Sequence, residues 1–189
     1  MSTETPVRDR ILDTADQLFY QRGLHAVGID EIVDRSGAAK TTLYAHFKSK
    51  DLLIARYLQR RSDDWRGYLE AELGTFDGSA AGTIDRVFQL LAGGCTDPAF
   101  RGCPFINFAV EYPDRTHPGW QVCLEHRRWF HGLLAGIATE GGAPDPAGLA
   151  DQLCLLYDAA MVGSLFEQAG QSARVVRSTA AALVTSAFP

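Results

Sequence analysis

Apolar residues recur along most of the chain at intervals of three and four, the spacing that places them on one face of an α-helix. Ile11, Ala15, Leu18 and Phe19 show this pattern, and Gly23 follows as the kind of residue that ends a helix. Strand-like alternation of apolar and polar residues is nowhere sustained. We therefore predict an all-α protein of about nine helices, over residues 6–22, 29–35, 40–47, 50–73, 80–94, 104–111, 117–140, 146–168 and 172–187.

The second and third predicted helices are short and lie close together in the chain. They cover residues 29–35 and 40–47, and the turn Gly37-Ala38-Ala39 separates them. Two short helices joined by a three- or four-residue turn that contains glycine are typical of a helix-turn-helix.

The third predicted helix has two different faces. Leu43 and Phe47 fall on the side that must face the core, whereas Thr41 and Ala45 point the opposite way. Small and hydroxylated side chains allow close approach to a DNA major groove and hydrogen bonds to phosphates or base edges. The alternative interpretation is an ordinary solvated surface helix.

The distribution of charge favours a DNA-binding function, although the total charge does not. The 189 residues carry a formal net charge of −5, which by itself argues against a nucleic-acid partner. Residues 1–62, however, hold ten Lys and Arg against eight Asp and Glu, while the remainder holds eight against fifteen. All three lysines lie between positions 40 and 50. We therefore expect the first part of the chain to meet an anion.

Composition and motifs exclude several other classes of protein. No run of about 18 apolar residues exists, so we expect no membrane span. No apolar stretch of the secretory type begins the chain, so we expect a cytoplasmic protein whose four cysteines are free thiols. An all-α enzyme is the least favoured interpretation, because the G-x-S-x-G, H-E-x-x-H and P-loop motifs are absent. We expect neither a cofactor nor a metal site.

A specific resemblance adds to this interpretation. The chain reads Ile11-Leu12-Asp13-Thr14-Ala15 in the first helix and later Gly37-Ala38-Ala39-Lys40-Thr41-Thr42-Leu43-Tyr44-Ala45-His46-Phe47-Lys48-Ser49-Lys50. Over about residues 7–60 it resembles the tetracycline-repressor (TetR/AcrR) family. The resemblance implies a homodimeric transcriptional regulator, usually a repressor, that leaves a palindromic double-stranded DNA operator when a small-molecule effector binds. It also implies a helix-turn-helix DNA-binding domain at 1–50 and a ligand-binding and dimerisation domain at 51–189.

The resemblance assigns the DNA-binding residues by position. They are Lys40, Thr41, Thr42, Tyr44, Ala45, His46, Lys48 and Lys50. Two positions depart from the family pattern: Gly28 stands where many relatives carry a threonine that bonds the DNA backbone, and Ala45 stands where larger, base-reading side chains are common. His46 has an alternative role as an orienting residue beside Phe47.

The second half resembles one subgroup of the family, through the segment Arg101-Gly102-Cys103-Pro104-Phe105-Ile106-Asn107-Phe108. In relatives this half holds the effector, and its last two helices, here about 147–168 and 172–187, form the dimer through an apolar stripe that includes Leu153 and Val184. The candidate effector-binding residues are Phe88, Cys103, Phe105, Asn107, Phe108, Trp120, His126, Trp129, Phe130, Tyr157 and Met161. Such a lining suits a hydrophobic or aromatic effector. The alternative for both sets is the packed core of a single protomer.

Cys103 supports a second interpretation of the switch. It directly precedes Pro104 at the start of a predicted helix, where the helix dipole and Arg101 favour the reactive thiolate. Some relatives sense oxidants or electrophiles through a cysteine in this segment. The alternatives are therefore a repressor triggered through Cys103 and a buried, inert thiol.

Overall fold

The computed structural model describes residues 6–166 and 170–188, and within those residues it consists of nine α-helices and no strand. The helices are α1 Val7–Arg22, α2 Ile29–Ser36, α3 Lys40–Phe47, α4 Lys50–Gly74, α5 Ala80–Cys95, α6 Pro104–Glu111, α7 Gly119–Glu140, α8 Pro146–Gly163 and α9 Gln171–Ala187. The predicted all-α fold is confirmed. No helix among the described residues is long and apolar enough to cross a membrane.

Local capping signals explain most of the helix ends. Gly23 ends α1 with a φ of 89°, and its backbone N–H donates to the Phe19 carbonyl over 3.0 Å. Ser49 begins α4, because its Oγ accepts from the Leu52 N–H at 3.1 Å. The predicted bounds agree within two residues except at the end of α8. The prediction of a helix to residue 168 is wrong, since α8 ends at Gly163 and residues 164–166 form a turn, while 167 and 168 lie outside the described residues.

The chain divides into two compact units. The first comprises the described residues up to Asp63 together with Pro104–Leu124. Its core combines residues of α1 to α4, such as Phe19, Leu43 and Tyr57, with Phe108 of α6, all nearly or fully buried. The borders of these units differ from the predicted domain border at residue 50. The predicted domains are defined by DNA binding and effector binding, not by packing, and they stay a prediction.

An ion pair joins α4 to α1 within the first unit. The Nε and Nη2 atoms of Arg61 donate to the two carboxylate oxygens of Asp16, each over 2.7 Å. The same guanidinium lies 4.3 Å from the ring centre of Tyr20. Because the guanidinium of Arg61 contacts both Asp16 and Tyr20 of α1, it fixes α4 against α1.

The second unit comprises Asp64–Cys103 and the described residues from Glu125 onward. Within it, α5, α8 and α9 pack together through buried apolar side chains, namely Ile84, Val87, Phe88, Leu149, Leu153, Ala160, Ala180 and Val184. Asp85 of α5 accepts two hydrogen bonds of 2.8 Å from Arg177 of α9, and these bonds lower the pKa of the Asp85 carboxyl. Leu153 and Val184, which we predicted for a dimer interface, are buried inside this unit and form its core.

Candidate functional site

The α2–α3 segment has the geometry of a helix-turn-helix. Gly37 ends α2 in the left-handed conformation, with φ 66° and ψ 21°, which favours glycine. The Ala39 carbonyl then accepts from the N–H groups of Thr42 and Leu43 at 2.9 and 3.1 Å, and α3 begins. Leu43 and Phe47 are buried in the core of the first unit, as the spacing predicts. The rotation of α3 about its axis is therefore fixed.

Most of the predicted DNA-binding residues lie on the exposed side of α3 or at its ends. Exposed side chains belong to Lys40, Thr41, Tyr44, Ala45, His46 and Lys48, whereas Thr42 and Lys50 are half-buried. Burial lowers the pKa of the Lys50 ammonium, against the opposing effects of Asp51 and Glu111. The face combines small, hydroxylated and aromatic side chains with positive charge, a combination suited to a nucleic-acid groove. DNA contact by each of these residues stays a prediction.

Lys40 has a partner that the sequence analysis missed. Its Nζ lies 2.6 Å from Oδ1 of Asp30, in the first turn of α2. The hydrogen bond and charge of Asp30 raise the pKa of Lys40, so this lysine stays protonated. Both side chains are more than half exposed, at 53% for Lys40 and 78% for Asp30, so solvent screens the pair. A phosphate that approached Lys40 would compete with this carboxylate.

Lys48 connects α3 to α4 in an unusual backbone conformation. Its φ is 64° and its ψ is −45°, and it is the one non-glycine residue with positive φ in the described ranges. Its N–H donates to the Tyr44 carbonyl, and the following Ser49 N–H donates to the Phe47 carbonyl over 2.7 Å. This is a tight three-residue turn, which strains any residue that carries a Cβ. This strained residue is an exposed lysine that directly follows the last residue of α3.

A side-chain cluster that the sequence analysis also missed supports the α1–α2 connection. The His25 backbone N–H donates to the Glu111 carboxylate over 2.9 Å, and the His25 Nε2 lies 2.8 Å from the Glu111 carbonyl oxygen. The His25 ring stacks on Tyr112 with ring centres 4.4 Å apart. The connection that leads into the helix-turn-helix is thus held by residues at the end of α6.

The predicted effector-binding residues are divided between the two units. Four of them, Phe105, Asn107, Phe108 and Trp120, fall in the first unit. There Phe108 and Trp120 meet edge to face with ring centres 5.6 Å apart, and the Trp120 indole N–H donates to the Tyr112 carbonyl over 2.9 Å. Phe108 and Trp120 are therefore buried in the core of this unit, and their role in an effector pocket stays a prediction.

The other candidates, Phe88, Cys103, His126, Trp129, Phe130, Tyr157 and Met161, fall in the second unit. Phe130 and Tyr157 lie 4.6 Å apart between ring centres, and the rings of His126 and Trp129 lie 5.4 Å apart. His126 is only 6% exposed. Burial, with a smaller contribution from the positive charge of Arg66, lowers its pKa from 6.5 to about 4, so it is neutral near pH 7. Neither Arg66 nor its neighbour Trp65 was singled out from the sequence.

None of the four cysteines forms a disulfide, and all four are buried. Burial raises the pKa of Cys95, and it raises that of Cys154 to about 11, which keeps both thiols protonated. Cys103 is 7% exposed and directly precedes the first residue of α6, as predicted. Among the residues that the structure describes, no group of three or more His, Cys, Asp or Glu side chains is arranged to hold a metal ion.

Comparison with known proteins gives the same picture for the first part of the chain. Residues 11–57 match the family of bacterial regulatory proteins described as the tetR family. The chain is 47% identical over 57 residues to the HTH-type transcriptional activator FasR of Mycolicibacterium smegmatis, covering 30% of this chain and 26% of FasR. It is 35% identical over 103 residues to the HTH-type transcriptional repressor ComR of Escherichia coli, covering 53% of this chain and 48% of ComR. The chain thus spans at most about half the length of these two curated relatives.

A solved structure extends the similarity over nearly the whole chain. The crystal structure of a TetR-family transcriptional regulator from Streptomyces coelicolor has a TM-score of 0.91 and 31% sequence identity to this protein. The match covers 97% of this chain and 96% of that one. With the helix-turn-helix, the buried face of α3 and this full-length relative, the chain belongs to the TetR family of transcriptional regulators.

Proposed function

We propose that this protein is a ligand-responsive transcriptional repressor that binds a palindromic operator as a homodimer and leaves it when a hydrophobic or aromatic effector binds. The observation that carries the proposal is the exposed face of α3. Buried Leu43 and Phe47 hold this helix so that Thr41, Tyr44 and His46 are exposed. The proposal gives each predicted domain a role. Residues 1–50 contact DNA, and residues 51–189 bind the effector and the second subunit.

The chemistry of α3 explains how it would read an operator. Ala45 and Thr41 are small enough to bring the helix close to the base edges, and Tyr44, 40% exposed, reaches a phosphate from the side of the helix. Lys48 and Lys50 at its end neutralise further phosphates. A two-fold symmetric dimer presents this helix twice, to half-sites separated by about one turn of DNA or somewhat more.

Exposed apolar residues on α8 and α9 support a homodimer. Leu155 and Val162 of α8 are 64% and 41% exposed, and Val175 of α9 is 57% exposed. These side chains lie outside the core that Leu153 and Val184 form within the unit. Paired with a second copy, the two helices would form a four-helix bundle that covers them.

Operator binding tests the proposal directly. The probe is a duplex from the intergenic region beside the gene, and binding is measured by gel shift at several salt concentrations. We expect the double variant Lys40→Ala and Tyr44→Ala to abolish binding, because it removes a cation and an aromatic hydroxyl from the exposed face. A matched control is Arg128→Ala with Tyr68→Ala, which removes the same kinds of group from exposed positions of the second unit. Unchanged binding by the α3 variant would refute the assignment.

A second candidate trigger is the thiol of Cys103. The segment around it resembles one subgroup of the family, and Cys103 directly precedes Pro104, the first residue of α6. Cys103→Ser distinguishes the two switches. It removes the response of a thiol sensor to oxidants, whereas a protein that responds to a bound effector keeps its response.

A further inference from the structure

The second unit contains a half-buried arginine that lacks a carboxylate partner. Three of its arginines are half-buried: Arg66, Arg86 and Arg177. Arg86 pairs with Glu72, and Arg177 pairs with Asp85. Arg66 forms no ion pair with any residue in 6–166 or 170–188. A half-buried guanidinium without a counterion is unfavourable, so the contacts of Arg66 require an explanation.

The hydrogen-bonding edge of Arg66 is largely unused. Its Nη2 donates over a long 3.4 Å to the carbonyl oxygen of Glu125. Its Nε is fully buried and has no hydrogen-bond partner in the described part of the chain. The Nε and Nη2 atoms form the edge through which an arginine donates two parallel hydrogen bonds to a carboxylate. Arg61 in the first unit uses this same edge to bind Asp16.

The ring of Trp129 contacts Arg66. The guanidinium lies 4.8 Å from the ring centre of Trp129, within the distance of a cation–π contact. Trp129 lies beside the buried, neutral ring of His126. Arg66 thus combines an unused donor, its own Nε, with the flat apolar surface of Trp129.

Two other basic groups of this unit, Arg127 and His131, have acidic partners. A surface groove of about 510 Å³ includes Arg127 and His131 in its lining. Arg127 lies 2.7 Å from Asp158, and His131 lies 3.1 Å from Asp151. An anion that bound between Arg127 and His131 would compete with these carboxylates. Arg128 also lines the groove, but its side chain is exposed, so solvent screens its charge. An anion that bound at half-buried Arg66 would meet no competing carboxylate among the described residues.

We propose that the effector is an organic carboxylate whose acid group binds the Nε and Nη2 edge of Arg66 and whose apolar body packs on Trp129. The acid group replaces the long contact to Glu125 and supplies the missing negative charge. This inference rests on the proposed function, because it identifies the chemical class of the effector of that regulator.

Calorimetric titration of the full-length protein without DNA tests the ligand class. The probes are benzoate and decanoate, each compared with its neutral amide, benzamide and decanamide. Each acid and its amide share one apolar body, so their difference isolates the carboxylate. We expect at least one acid to bind about tenfold more tightly than its amide. Equal binding of both acids and their amides, or no binding by either acid, overturns the inference.

Variants test the position of the site. Arg66→Met should weaken binding of the acid about tenfold or more while leaving the amide unchanged. Arg128→Met is the matched control, since it removes an exposed arginine of the same unit, and it should bind like the wild type. Circular dichroism verifies the fold. If Arg66→Met does not fold, Arg66→Lys replaces it, because lysine keeps the positive charge but lacks the two parallel N–H donors of the guanidinium. Acid binding equal to that of the wild type in Arg66→Lys would overturn the site.

Operator binding separates this inference from the proposed function. An acid that binds the wild type and depends on Arg66 supports the effector site even if no operator duplex is bound, in which case only the proposed function fails. The opposite result combines operator binding that depends on Lys40 and Tyr44 with acid binding that Arg66→Met does not weaken. It leaves the proposed function intact and overturns the site alone.

Discussion

Acidification should destabilise this protein through His126. The imidazole is 6% exposed, and burial, followed by the charge of Arg66, lowers its pKa from 6.5 to about 4. In the unfolded chain the same group has its ordinary pKa. Between these two values the unfolded state binds a proton that the folded state does not bind, so the free energy of unfolding falls as the pH falls. The stability that neutral His126 preserves is complete above pH 6.5 and is lost as the pH decreases through about 4.

The size of the effect follows from the two pKa values. The gap from 6.5 to about 4, at about 1.4 kcal/mol for each pH unit, amounts to about 3 kcal/mol. Domains of this kind have a total stability of about 5–15 kcal/mol. Protonation of this one side chain should therefore remove a substantial fraction of the stability, before the carboxylates that form ion pairs are titrated.

Denaturant unfolding from about pH 7 to about pH 4 measures the effect. The wild type is compared with His126→Gln, which keeps a polar side chain but cannot gain a proton, at one protein concentration because a dimer's stability depends on it. The variant starts from lower stability but should lose about 3 kcal/mol less on acidification. His46→Gln is the control at an exposed histidine on α3. If wild type and His126→Gln lose stability in parallel, His126 does not remain neutral in the folded state and the reasoning is refuted.

Three further predictions concern the helix-turn-helix. Lys48→Gly should be more stable than Lys48→Ala by about 1 kcal/mol, because only glycine relieves the positive φ; equal denaturation midpoints would contradict the strain. Asp30→Asn should raise operator affinity a few-fold and steepen its salt dependence, because it releases Lys40 for a phosphate; Asp34→Asn, an exposed change on the same helix, is the control, and equal gains in affinity would point to general charge. Ser49→Ala should reduce the free energy of unfolding by about 1 kcal/mol, because it removes the cap of α4, and a thermal melt with no decrease would contradict the capping role.

The sequence was sufficient for the helices, apart from the end of α8, and for the orientation of α3, because these depend on local signals. Gly23 and Ser49 end or begin helices through hydrogen bonds that reach only a few residues along the chain, and Gly37 ends α2 through its own left-handed conformation. Leu43 and Phe47 define the buried side of α3 by their spacing alone, and the opposite side follows from helix geometry.

The partners of the buried and charged residues could not be predicted in this way. An apolar stripe shows that a helix is buried but not which helices cover it, so the packing of Phe108 with residues of α1 to α4 could not be derived. Leu153 and Val184 carry an apolar stripe that suits either a dimer interface or a core, and the structure assigns both to the core of the second unit. The contacts that decide these cases join residues far apart in sequence.

Charge follows the same rule: whether a basic side chain can bind an anion depends more on its partner in the fold than on the net charge of the chain. Lys40, which the sequence assigns to DNA, already pairs with Asp30, so a phosphate gains there only the difference between two anions. Arg66 drew no attention in the sequence because an arginine in a long polar helix is typical of a solvated surface. The structure places it against Trp129, half-buried and without a carboxylate among the described residues. An anion at Arg66 displaces no carboxylate of the described residues, so an acidic ligand there gains the whole interaction with the guanidinium, whereas a phosphate at Lys40 gains only a difference.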